Sequence, residues 1–192
     1  MNKENQHLRK LVYTAMFAVI NYIAFEYGKI NIPLPGGLNS AIHIANAVVV
    51  LSAWLLGPVY GGLAGGIGLS LADLMDPRYV TSAPKTFIMK FLIGYIAGKT
   101  AQNMHLSEET DRQKITKITT ISACVALGFN VLVDPIVGYL YKKYLLKISV
   151  EAAGILLAWT SSITAINAVI CVIISVLLYQ ALYKSFRSIG EQ

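Results

Sequence analysis

The chain has 192 residues, of which 55% are hydrophobic and only 14% charged, with a mean hydropathy of +0.57. Soluble domains carry about a quarter of their residues as charges, so this composition excludes an ordinary soluble domain and points to an integral membrane protein. The net charge of +6 does not imply nucleic acid, because the basic residues are scattered over loops and ends without a stripe or interleaved aromatics.

A polar start ends at Lys10, and Leu11 to Tyr27 is apolar and long enough to cross a bilayer with some tilt. No small-residue cleavage site follows, so a retained helix is expected rather than a signal peptide. Residues 28–40, GKINIPLPGGLNS, hold two prolines and paired glycines and predict a loop. A second apolar run covers Ala41 to Leu56. Gly57-Pro58 turns it straight into a third, Val59 to Met75, which predicts antiparallel neighbours.

In the third run Gly57, Gly61 and Gly65 fall four apart, with Gly62 and Gly66 beside them. Each glycine weakens a water-exposed helix by roughly 1 kcal/mol relative to alanine. In lipid the same spacing lets a neighbouring backbone approach closely. Asp76 to Pro84 predicts a polar loop, and the fourth run covers residues 85–103 before a charged linker that ends at Lys117. The fifth run, Ile118 to Tyr141, contains Asp134-Pro135. A loop from Lys142 to Glu151 precedes the sixth, Ala152 to Tyr183. Cys124 and Cys171 lie inside apolar runs with no CxxC spacing and read as packing residues. The expectation is an all-α integral membrane protein in which residues 1–192 form one domain, a bundle of six transmembrane helices.

Six crossings put both termini on one side. That side carries nine Lys and Arg against six on the other, which favours cytoplasmic termini. The loops 28–40, 76–84 and 142–151 then face outward together, where they are placed to cover a site.

Nothing in the chain assembles a catalytic centre. Ala97-Gly98-Lys99-Thr100 resembles the end of a P-loop, but Ile93 stands where that motif needs glycine, and the segment closes an apolar run instead of opening a helix. His7, His43 and His105 share no metal-ligand spacing, so no metal is expected. What remains are polar residues in apolar runs, which are costly in lipid and are functional candidates for that reason. They are His43 and Asn46 in the second run, Lys85 and Lys90 in the fourth, and Asn130 and Asp134 one turn apart in the fifth. Pro135 frees a backbone carbonyl beside that pair. The sixth run adds Trp159, Thr160, Ser161, Ser162, Thr164 and Asn167. Plainer roles stay open for some: Lys90 and Asp134 pairing only with each other, Trp159 anchoring at the lipid surface, Asp73 and Asp76 capping a helix end.

The series Pro-Leu-Pro-Gly-Gly, Leu-Leu-Gly-Pro-Val-Tyr-Gly-Gly-Leu-Ala-Gly-Gly-Ile-Gly, Leu-Ala-Asp-Leu-Met-Asp-Pro and Ala-Pro-Lys-Thr-Phe-Ile-Met-Lys resembles the substrate-binding S components of energy-coupling-factor (ECF) vitamin transporters. The resemblance covers nearly the whole chain. It implies a vitamin held under the outer loops, partners consisting of a transmembrane scaffold subunit and two ATPases, and no cofactor in this chain, with ATP used by the partners. It places substrate contacts at Asn39, His43, Tyr79, Lys85, Lys90, Asn130, Asp134, Tyr141, Trp159 and Thr160. It implies docking of the scaffold on the first helix through an Ala-x-x-x-Ala pair. Here Ala15 is followed at that spacing by Val19, and Thr14 with Ala18 forms the small pair. The vitamin stays open among pantothenate-, pyridoxine- and cobalamin-like ligands, and a bacterial cell membrane is the implied location. The rival reading is a membrane-embedded enzyme for a lipid or isoprenoid pyrophosphate, with Asp73 and Asp76 holding the metal-bound pyrophosphate. A self-sufficient carrier is disfavoured because no inverted repeat is visible.

Overall fold

The computed structural model describes residues 3–34, 39–147 and 149–190. Pro35-Gly36-Gly37, the turn of the first motif, lies outside the described residues. Among the described residues there are six α-helices: α1 (Lys3–Tyr27), α2 (Ala45–Leu56), α3 (Pro58–Met75), α4 (Ala83–Asn103), α5 (Arg112–Leu140) and α6 (Val150–Gly190). A 3-10 turn over Val80–Ser82 leads into α4, and a wide turn of π type over Tyr141–Leu145 follows α5.

The predicted loop 28–40 is instead part of a β-hairpin, so the fold is helical with one small sheet rather than all-α. Strands β1 (Lys29–Pro33) and β2 (Asn39–His43) pair antiparallel, with Lys29 opposite His43 and Asn31 opposite Ala41. Alternating Lys-Ile-Asn-Ile gives β1 one apolar face. Leu34 with partly buried Ile32 and Ile42 packs that face against Leu156 and Ile163 of α6. Helix α2 consequently begins at Ala45, four residues later than its apolar run. Pro84 does not break α4; it sits in the first turn, where a missing N–H costs nothing. Helix α5 starts at Arg112, six residues before the apolar run, because the Asp111 carboxylate accepts the Gln113 N–H at 2.8 Å and caps it. Pro135 is accommodated inside that helix.

Among the described residues three stretches are long and apolar enough to cross a membrane, residues 5–27, 112–145 and 150–183. The apolar character of α3 is diluted by its glycines, and that of α4 by Lys85, Lys90 and Lys99.

Helix α3 is the centre of the packing, and its glycines set three close approaches. A Cβ on Gly61 would run into the Ala53 backbone of α2, and one on Gly65 would lie 2.6 Å from Val49 Cγ1. On the next face a Cβ on Gly62 would lie 2.8 Å from Phe91 O of α4, and one on Gly94 of α4 would lie 2.7 Å from Gly62 Cα. Gly68 abuts the Ala18 carbonyl of α1. The turn before α3 uses Gly57 at φ +89°, a conformation glycine adopts without penalty. One apolar cluster built on Phe25, Val49, Leu69, Ile93 and Leu127 fills the middle. Another, on Leu51, Ile115 and Tyr179, closes the end away from the hairpin.

Candidate functional site

The hairpin, the N-terminal ends of α2, α4 and α6, the C-terminal ends of α3 and α5, and the two irregular turns all meet at one end of the bundle. They enclose a cavity of about 150 Å³. That is room for on the order of ten water molecules.

The roof is tied at several points. The Tyr79 hydroxyl shares its one proton between Asn31 Oδ1 at 2.8 Å and the Ser40 carbonyl at 3.1 Å, joining the 76–82 segment to both strands. Tyr141 donates to the Thr81 carbonyl at 2.6 Å, tying the same segment to the turn after α5. Lys29 Nζ bridges Glu26 at 2.6 Å and Asp76 at 2.9 Å, and Arg78 grips Asp76 at 2.7 Å. Arg78 first, then Lys29, holds the Asp76 carboxyl well below the usual carboxylate range. Burial pulls the Lys29 ammonium down, but its bonds to Glu26 and Asp76 leave it raised. Burial pushes the Tyr79 phenol up to about 12, so it remains a donor at neutral pH. Asn167 of α6 pins β2 by accepting the His43 N–H at 2.9 Å and donating to the Ala41 carbonyl at 2.9 Å.

The interior is polar. Lys85 Nζ meets Asp134 Oδ1 at 2.8 Å, so Asp134 pairs with Lys85 and not with Lys90. Thr86 Oγ1 donates to Asp73 Oδ2 at 2.5 Å. Asn46 and Asn130 are each 2% exposed and His43 8%, yet Asn46 Oδ1, Asn130 Oδ1 and His43 Nδ1 have no hydrogen-bond partner. All three residues line the cavity. Buried polar atoms are nearly always bonded, so three on one cavity wall mark a place where something else supplies the bonds.

Of the ten residues expected at the site, Asn39, His43, Tyr79, Lys85, Lys90, Asn130, Asp134, Tyr141 and Thr160 line this cavity. Trp159 does not: it is 50% exposed on the outer face of α6. The lining face of α6 carries Thr160, Thr164 and Asn167, spaced four and three apart, and Trp159 falls one residue off that stripe. Asn46, Thr86 and Lys142 also line the wall. Asn46 was legible as a polar residue in an apolar run, whereas Thr86 and Lys142 sit at run ends where polar residues carry no signal. Pro135 removes the donor that would serve the Val131 carbonyl, but Val131 is not among the lining residues.

The docking pair needs correction as well. Thr14 is 6% exposed with its hydroxyl bonded to the Lys10 carbonyl at 2.7 Å, and Ala18 is 7% exposed against Gly68. Both face into the bundle, so neither is open to another subunit. Ala15 lies on the opposite, exposed face with Leu11, Val19 and Ile23. Asp73 and Asp76, paired in the enzyme reading, are held apart in function: one is bonded to Thr86 and the other to Lys29 and Arg78.

A helical bundle with apolar outer faces and a polar chamber under a clasped roof defines a ligand-binding membrane protein. The family model for the ECF-type riboflavin transporter S component matches residues 5–184. The chain therefore belongs to the ECF-type riboflavin transporter S component family; it is a multi-pass membrane subunit of a vitamin transporter and not an enzyme. The fold is that of the S component for biotin from an ECF-type ABC transporter, with a TM-score of 0.62, 18% identity, and coverage of 100% of this chain and 95% of that one. An S component of a bacterial ECF transporter aligns with a TM-score of 0.60 at 18% identity over 94% of this chain and 99% of that one. A Pyrococcus woesei protein, described as an uncharacterized protein in the gap 3' region, is 35% identical over 69 residues. That match covers 36% of this chain and 45% of the relative, so the chain spans under half of that relative's length.

Proposed function

We propose that the whole chain acts as a single unit of six spans that captures a water-soluble vitamin in this cavity from outside a bacterial cell. A transmembrane scaffold subunit and two ATPases then energise delivery to the cytoplasm. The observation that carries the reading is the set of unpartnered polar atoms on Asn46, Asn130 and His43, residues that line one chamber. Helices α3 and α4, of 18 and 21 residues, measure about 27 and 31 Å, close to a hydrocarbon core of about 30 Å. With only 12 residues, α2 shares its crossing with the hairpin. Of the ligands left open by the sequence, a cobalamin-like macrocycle is the poorest match to a cavity of about 150 Å³.

Docking falls to the exposed face of α1 around Ala15. The test pairs ligand titration of the isolated chain with uptake into vesicles holding the full complex and ATP. The isolated chain is expected to bind without ATP and to accumulate nothing, and Ala15→Leu to bind like the parent but lose most of its uptake. Accumulation by the chain alone overturns the division of labour, and undiminished uptake by Ala15→Leu overturns the docking face.

The Lys and Arg bias supports cytoplasmic termini. In a background free of Cys124 and Cys171, a cysteine at Asn39 should react with an impermeant thiol reagent in intact cells and one at Ser107 should not. The reverse pattern inverts the orientation.

A further inference from the structure

The chamber holds an unmatched positive charge, and that bears on what it binds. Of its lining cations, Lys85 is bonded to Asp134 at 2.8 Å and Arg78 to Asp76 at 2.7 Å, whereas Lys90 and Lys142 make no ion pair among the described residues. Among the described residues no carboxylate lies within 4.0 Å of the Lys90 ammonium, and no hydrogen bond is made by it. Asp134 and Asp73 reach it only through their fields. Of those two, the first is bonded to Lys85 and the second accepts from Thr86 at 2.5 Å. Lys90 lines the same cavity as His43, Asn46 and Asn130, so the cation shares a chamber with the unpartnered atoms. An ammonium taken out of water without a partner is unfavourable, and a bound anion removes that penalty.

Resting on the binding role proposed above, we propose that the ligand is a carboxylate: its anionic group meets Lys90, and N–H or O–H donors on its body meet the open acceptors of Asn46 and Asn130. Neutral vitamins leave Lys90 uncompensated.

The experiment titrates the purified full-length chain with pantothenate and biotin, with their neutral counterparts pantothenol and biotinamide, and with riboflavin and pyridoxine. Small molecules retained through purification are released and identified by mass spectrometry. A carboxylate is expected either to be retained or to bind at least tenfold more tightly than its neutral counterpart. Lys90→Met should abolish that retention or preference while melting no lower than the parent, which separates loss of binding from loss of fold. Equal affinity for acid and neutral forms, a neutral vitamin as the retained molecule, or undiminished carboxylate binding by Lys90→Met overturns the assignment and leaves the binding role standing. A chain that neither retains nor binds any vitamin overturns both.

Discussion

Gly61→Leu is expected to leave almost no folded protein in detergent. The first added carbon would have to occupy the Ala53 backbone of α2, which no rotamer change can vacate. Overpacking against side chains costs about 1–3 kcal/mol, and here the obstacle is main chain on a helix that also lies against α3 one turn away, where Val49 meets Gly65. Against a total stability of about 5–15 kcal/mol, displacing α2 along its length is prohibitive. Leu71→Ala is the comparison, because Leu71 is 48% exposed on the outward face of the same helix. The measurement is the yield of monodisperse protein by size-exclusion chromatography. Equal yields from the two variants would mean that the glycine face does not touch a neighbour.

Asn130→Leu should have two effects of opposite sign. In the empty protein Asn130 Oδ1 is buried without a partner, and an unsatisfied buried acceptor costs about 1–3 kcal/mol. Replacing it by an apolar side chain of similar size removes that cost, so the empty variant should melt at or above the parent. With ligand present the same change takes away a bond, weakening affinity by roughly ten- to a hundredfold. Thermal melts with and without ligand read both effects at once. A variant that is less stable when empty and binds normally would assign Asn130 to the framework instead of the site.

The glycine seam was legible because small residues four apart describe a face, and a face in lipid has to meet something. The same reasoning misdirected the docking pair. Thr14 and Ala18 are spaced as a seam, but a seam does not announce whether its partner is another helix of the chain or another protein. Exposure decides, and exposure is not written in spacing. The hairpin was hidden by its own punctuation: Pro33, Pro35 and the paired glycines outweighed two five-residue strands too short to register. Most of the chamber wall was legible because a polar residue in an apolar run has few excuses, as with His43, Lys90 and Asn130. Trp159 was drawn in by its chemistry, although the period of α6 places it beside the stripe made by Thr160, Thr164 and Asn167.

The glycines are unevenly distributed between the two parts of the bundle. In α3 and α4, Gly61, Gly62, Gly68, Gly94 and Gly98 lie against neighbouring backbone, whereas Gly128 of α5 and Gly154 of α6 have no atom within 4 Å of where a Cβ would stand. The chamber therefore lies between α1 to α4, fitted to one another by close backbone approaches, and α5 and α6, joined to them through side chains. Interlocked backbones have one way to fit, while side-chain contacts have many.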